Sequence, residues 1–426
     1  MSASTQERRR LSLSAFLVPY GHHVAAWCHP DTDLQAPLFE LYRQQARIAE
    51  DACLDAIFFA DNVALAGAPT LEPLTLLSAL AAGTSRLGLV ATATTTYNEP
   101  YHLARKFASL DSISNGRAGW NLVTSDNALE AGNFGRAEHV AHAQRYARAR
   151  EFYDVVDGLW RSWDQDAFVN DKAGGLLFDP GRVHRLDHHG EHFKVAGPLN
   201  VRPSPQGRPV VVQAGSSDDG RALAAATADV VFTAQPTLES ARAFYRDMQA
   251  RRAREARGAL RILPGIYAVV GESEAQAQDK YAQLQALIEP QAGLALLGRM
   301  IGNFDLSGYP LDGPLPELPL TENGQRSRQQ LLTSIAQGEN LSIRQLYERI
   351  AGGRGHLTVI GTGQQVADRI QEWFEAGACD GFNLMAPVLP GGLEDFARHV
   401  VPELQRCGLF RTHYESTTLR GHLGLA

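Results

Sequence analysis

Between Ala91 and Ser125 the chain reads ATATTTYNEPYHLARKFASLDSISNGRAGWNLVTS, and this segment narrows the choice of fold more than any other. Leu87–Thr95 is apolar and β-branched, as a buried strand requires. Pro100 opens a helical run with apolar residues at Leu103, Phe107 and Leu110, and Asn115-Gly116 closes it. A second short strand, Ala118–Val123, ends in Thr124-Ser125. Strand, helix and strand in this order predict a parallel βαβ unit. Both strands finish in small hydroxyl residues, and in parallel α/β folds the carboxyl ends of the strands carry the ligand site.

The same alternation continues along the chain. Eight strand-like segments stand out: Leu11–Val18, Leu54–Ala60, Leu87–Thr95, Ala118–Val123, Pro209–Ala214, Asp229–Thr233, Ile262–Val270 and Gly381–Ala386. Helical patterns follow at Ala36–Ala52, Glu72–Ala82, Tyr101–Ile113, Arg145–Trp163, Asp218–Thr227, Leu238–Arg257, Ser273–Glu289 and Leu393–Gln405. Eight β-then-α units predict an α/β fold, a (β/α)8 TIM barrel forming a single domain over residues 1–426. Two excursions interrupt it, at about 164–205 and 290–360. Both are expected at the C-terminal face, over the mouth of the site, where long excursions serve as lids or substrate walls.

Charge and composition remove several classes of function. The formal net charge is −7, which disfavours a nucleic-acid partner, and the run Arg8-Arg9-Arg10 is too short to reverse that. No apolar run reaches the ~18–20 residues of a membrane span, so no membrane association is expected. Leu11–Val18 lacks a small-residue cleavage site behind it and reads as a first core strand rather than a signal peptide. Cys28, Cys53, Cys379 and Cys407 are scattered without C-x-x-C spacing, consistent with reduced thiols in the cytoplasm.

Several residues stand where a ligand would meet the chain, each with a plain structural role beside the functional one. Asp61 ends the apolar run Ile57-Phe58-Phe59-Ala60 and suits either a loop cap or a ligand contact. Gly215-Ser216-Ser217-Asp218-Asp219-Gly220 follows the strand PVVVQA and opens a helix, which suits an N-cap or a phosphate site about equally. His142 and Tyr146 are four apart on one helix face. His22, His23, Cys28 and His29 match no zinc-site spacing, so no metal is expected. Their segment follows the first strand, which makes Trp27 a pocket wall and His22 or His23 a polar contact. His184, His188, His189 and His192 read as an exposed hairpin. There is no Walker lysine, no G-x-G-x-x-G and no G-x-S-x-G elbow, which argues against a P-loop, a Rossmann site and a serine hydrolase.

The block TTTYNEPYHLARKFASLDSISNGRAGWNLVTS resembles the signature region of the bacterial luciferase-like flavin monooxygenases, specifically their nitrilotriacetate monooxygenase and dibenzothiophene-sulfone monooxygenase branch. FFADN at 58–62, EFYDVVDGLWRSWDQDAF at 151–168, GPLNVRPSPQGRPVVVQAGSS at 197–217 and CDGFNLMAPVLPGGLEDFARHVVPELQRCGLFR at 379–411 extend the likeness almost to the C-terminus. The resemblance implies a two-component monooxygenase, with reduced FMN supplied by a separate NAD(P)H:flavin reductase. With O2, that flavin would oxygenate a small organic substrate. The family pattern puts Asp61, His142 and Tyr146 against the flavin and phosphate at Gly215, Ser216 and Ser217. It puts Thr95, Asn121 and Ser125 on the floor under the isoalloxazine. No protein acid or base is implied, because the flavin carries the hard chemistry. A homo-oligomer, dimer or tetramer, is expected. A deazaflavin-dependent oxidoreductase on the same fold and a non-catalytic flavin-binding barrel stay open.

Overall fold

The computed structural model describes residues 9–65, 67–320 and 326–425. Eight parallel strands close into a barrel: β1 (Ser12–Phe16), β2 (Ala56–Phe59), β3 (Gly88–Thr94), β4 (Ala118–Val123), β7 (Val210–Gln213), β8 (Val230–Thr233), β9 (Arg261–Gly271) and β11 (Gly381–Met385). β5 (His188–His189) and β6 (Lys194–Val195) form a separate antiparallel ribbon, and β10 (Leu357–Thr362) adds to β9 outside the barrel. Every predicted barrel strand is present, with ends within two residues of the sequence-based bounds. Closure runs from β1 through β11 to β9 and on to β8, whose Val230–Thr233 pair with Arg261–Pro264.

Local sequence explains the elements. Pro100 occupies the first turn of the helix Pro100–Ile113, where its missing N–H costs nothing. Asn115 and Gly116 end that helix at φ 55° and 86°, the left-handed geometry those residues tolerate best. The barrel interior is filled by Ala56, Phe58, Val90, Val210, Val212, Val230 and Leu263. Its base is plugged by Leu419 of the short C-terminal helix Leu419–His422. Gly88 makes room for that plug: a Cβ there would lie 2.5 Å from Leu419 Cδ1.

The two excursions separate. The first follows the helix His142–Trp160, which runs back from the mouth, so it begins at the base. None of residues 164–205 lines the large cavity. This excursion packs along the outside of the barrel instead, with Trp163 Nε1 donating to Leu199 O at 2.7 Å and Phe193 edge-on to Phe152. Its histidines form the expected hairpin, where His188 Nε2 is 3.0 Å from Glu151.

The second excursion follows a strand and therefore stays at the mouth. β9 projects beyond the barrel and pairs with β10 from Ile266 to Gly271. Between them lie the helices Glu274–Ala286, Pro290–Met300, Arg326–Gly338 and Ile343–Ile350. The last three share a core of their own around Leu297, Leu332, Leu346 and Tyr347. The seventh barrel helix is thus Gly363–Glu375, not the predicted Ser273–Glu289. It buries Val366, Ile370, Trp373 and Phe374 in the main core, whereas Glu274–Ala286 buries only Ala277 and Leu284.

Candidate active site

The carboxyl ends of the strands and the second excursion enclose a cavity of about 2350 Å³. Ordinary small-molecule pockets run to roughly 300–1,000 Å³, so this one has room for a large cofactor and a substrate together. Its apolar floor is a cluster of rings from three strands. Phe16 stands edge-on to Phe58 and Phe232 at 5.1 and 5.9 Å.

Beside the rings runs a row of small polar groups. Asn121 Nδ2 donates to Thr92 Oγ1 at 2.8 Å, and Thr92 donates onward to Phe59 O at 2.7 Å. These bonds fix the Asn121 amide and leave its Oδ1 buried with no partner. Gln213, the last residue of β7, is 3% exposed and its Oε1 is likewise unpaired. Ser125 turns the chain at φ 56° and donates to Thr94 Oγ1 at 2.8 Å. Thr95, expected on this floor, faces the other way, with its hydroxyl on Val123 O at 3.2 Å. Thr92 and Thr94 line the cavity instead, because side chains alternate along a strand.

At the end of β7 the loop Gly215-Ser216-Ser217 enters the helix Asp218–Thr227. Gly215 and Gly220 are pressed together, so that a Cβ on Gly215 would lie 2.7 Å from Gly220 Cα. Ser217 Oγ accepts from Gly220 N at 3.1 Å, which makes it the N-cap. The Ser216 hydroxyl lines the cavity with no bond to another described residue. His142 and Tyr146 also line it, ring centroids 4.7 Å apart, with His142 Nδ1 3.4 Å from Asp219. Asp61 is half-buried at the rim of β2; its Oδ1 accepts from Asn62 N at 2.9 Å, and desolvation raises its pKa.

The first-strand histidines divide. His23 lines the cavity, whereas His22 lies behind Phe16, with Nε2 2.8 Å from Phe16 O. Burial and the nearby Arg354 lower their pKa values to about 3 for His22 and about 4 for His23, so both are neutral near pH 7. Trp27 is 56% exposed and forms part of the rim.

Several cavity residues were not singled out from the sequence. Glu130 is buried with an unpaired Oε2, and desolvation raises its pKa. Arg145, buried beside Tyr146, donates to Val140 O at 2.7 Å. The second excursion contributes Arg299, Arg328, Arg354 and His356. Only the GGRG run around Arg354 offered a local hint, since three glycines around one arginine mark a backbone held in an unusual path. Among the described residues, no group of three or more His, Cys, Asp or Glu could hold a metal ion, and no helix is long and apolar enough to cross a membrane.

Comparison with known proteins gives this geometry a context. The model of the family described as luciferase-like monooxygenase matches residues 21–380. N-acetyl-S-(2-succino)cysteine monooxygenase of Bacillus subtilis (strain 168) is 49% identical over 99% of this chain and 98% of its own length. Nitrilotriacetate monooxygenase component A of Aminobacter aminovorans is 47% identical over 98% and 97%. Among solved structures, riboflavin lyase with modified FMN and riboflavin superposes with a TM-score of 0.86 at 33% identity, covering 97% of this chain and 96% of that one.

Proposed function

Since the chain belongs to the luciferase-like monooxygenase family and is a flavin-dependent monooxygenase, we propose that its flavin is reduced FMN, used as a co-substrate delivered by a separate NAD(P)H:flavin reductase. The observation that carries this reading is the set of unpaired polar groups on one cavity. Asn121 Oδ1 and Gln213 Oε1 are buried acceptors without donors, and Ser216 offers a free hydroxyl at a helix start. Buried polar atoms are normally satisfied, so such a cluster calls for a ligand.

The residues fit FMN in chemical type. The Gly215–Ser217 loop, at the positive end of the helix Asp218–Thr227, suits a phosphate. Asn121 and Gln213 suit the N–H groups of a flavin ring. When bound, reduced FMN supplies the two electrons with which O2 is split between the oxygenated substrate and water. The protein's part is to hold and to shield. Phe16, Phe58 and Phe232 keep water from the floor, the Thr92–Asn121 chain fixes the amide, and the second excursion covers the mouth. Neutral His22 and His23 add no charge there. The chain carries no Rossmann or P-loop fingerprint, which supports an external source of reducing equivalents.

The test is NADH-driven product formation with and without a flavin reductase, including an arm in which a dialysis membrane divides the two proteins. Product only with the reductase present, and also across the membrane, is the expected result. Strong turnover by this chain with NADH alone would overturn the reading.

A further inference from the structure

One wall of the cavity carries positive charge that no described acid neutralises. Arg299, Arg328 and Arg354 come from three segments of the second excursion: the last turn of the helix Pro290–Met300, the helix Arg326–Gly338, and the loop before β10. None forms an ion pair with a described carboxylate. Arg328 donates to Arg354 O, while Arg354 Nη2 donates to His22 O at 3.3 Å and its buried Nε has no acceptor. The groups packed against them are also cationic or neutral. Arg299 and Arg354 repel each other, and His356, stacked on Phe232 at 5.1 Å, is held neutral by burial and by Arg328.

Elsewhere the buried arginines are met either by several backbone carbonyls, as Arg117 and Arg252 are, or by a carboxylate. Arg208 lies bidentate on Asp229 at 2.8 Å, and Arg411 lies on Asp55 at 2.5 Å. The cavity's described carboxylates (Asp61, Glu72, Asp126, Glu130 and Asp219) come from barrel loops and the helix starts that follow them, not from this excursion. The arginine wall is also built to stay in place. Arg354 has φ 49° and Gly355 φ 82°, and a Cβ on Gly352 would lie 2.2 Å from Tyr267 Cζ, so the GGRG loop is pinned against β9. Holding a guanidinium away from water without a counter-charge is unfavourable unless a ligand brings one.

We propose that Arg299, Arg328 and Arg354 are the substrate-recognition residues of this enzyme, and that they select a small organic substrate bearing two or more carboxylates. The inference rests on the reading of the cavity as the flavin oxygenation site. The guanidinium fork matches a carboxylate in two parallel charge-assisted hydrogen bonds. Three forks on separate segments suit several carboxylates better than one. The cofactor's phosphate has its own candidate site at Ser216, which leaves these cations to the substrate.

The test titrates propane-1,2,3-tricarboxylate and its trimethyl ester into the full-length protein at low salt. FMN, riboflavin and inorganic phosphate are titrated into the same preparations, and the variants are R354Q, R354K, R328Q and R299Q. The tricarboxylate should bind at least about tenfold more tightly than the ester, and added salt should weaken it. R354Q and R328Q should lose about tenfold or more for the tricarboxylate, R354K less, and the exposed R299Q about threefold. FMN and riboflavin affinities should not change, which also shows that each variant is folded. Absence of tricarboxylate binding, equal binding of the ester, or tighter binding of inorganic phosphate than of the tricarboxylate would overturn the proposal. So would variants that weaken FMN but spare riboflavin, because the arginines would then belong to the cofactor phosphate. Arginine-dependent binding of the tricarboxylate without reductase-dependent oxygenation would instead contradict the monooxygenase mechanism and leave the carboxylate subsite standing.

Discussion

Asp55, Asp229 and Asp380 stand immediately before β2, β8 and β11 at the base of the barrel, and each does the same two things. Each accepts a backbone N–H from the neighbouring strand: Leu13 N at 2.6 Å, Val211 N at 3.0 Å and Ile262 N at 3.0 Å. Each also holds an arginine: Arg411 on Asp55, Arg208 and Arg420 on Asp229, and Arg9 on Asp380. Among these groups only Arg411 Nη1 is left over, whereas the mouth is open. Asn121, Gln213, Glu130 and Arg354 each keep a buried polar atom without a partner. A closed network locks register and holds the fold, whereas an open one is a set of contacts kept for something else. The contrast separates residues whose loss unfolds the protein from residues whose loss spares the fold and removes a ligand.

The largest effect should come from breaking the base. Asp229→Asn removes the carboxylate that Arg208 and Arg420 share, and we expect a loss of about 3–5 kcal/mol in urea unfolding. Arg208 and Arg420 also hold the Asp229 carboxyl below its ordinary pKa against the effect of burial. A depressed carboxylate contributes stability that is complete above its unfolded pKa and lost as pH falls through the folded one. Acid unfolding below about pH 4 should therefore be shallower in Asp229→Asn than in wild type. Flavin affinity of the folded variant should match wild type; a selective loss would mean that base and mouth are not separate.

Gly352→Ala comes next. Its Cβ would lie 2.2 Å from the Tyr267 ring, and we expect overpacking of about 1–3 kcal/mol. Displacement of Arg354 should weaken anion binding and leave FMN binding intact, measured by parallel titrations. A smaller effect distinguishes the two serines. Ser217→Ala removes an N-cap and should cost about 1 kcal/mol by thermal unfolding. Ser216→Ala should change stability by no more than ~0.5 kcal/mol.

The barrel strands were the legible part of the sequence. Strands such as Pro209–Ala214 are continuous apolar runs, as strands covered on both faces must be. The helix Gly363–Glu375 also carried its signal, a Thr362–Gln365 capping box ahead of Val366, Ile370 and Trp373, although its place in the barrel went unrecognised. Which end of the barrel an excursion occupies depends on whether it follows a strand or a helix: residues 164–205 follow the predicted helix Arg145–Trp163 and so start at the base, not at the mouth. The hydroxyl floor was readable as a composition but not in register, since Thr92 and Thr94 face the cavity and Thr95 does not. The arginine wall was hidden for a different reason. Arg299, Arg328 and Arg354 are brought together by tertiary packing, and apart from the GGRG run around Arg354 no local spacing marks them.

The most direct test of the open mouth as a cofactor site is an anaerobic titration of wild type and Ser216→Ala with reduced FMN and reduced riboflavin. Hydrogen bonds to a charged group are worth about 1.5–3 kcal/mol, so wild type should prefer reduced FMN by about tenfold or more. Ser216→Ala should lose most of that preference while its affinity for reduced riboflavin and its thermal stability stay unchanged. Equal affinity of the wild-type protein for the two flavins, or an undiminished preference in Ser216→Ala, would contradict the account.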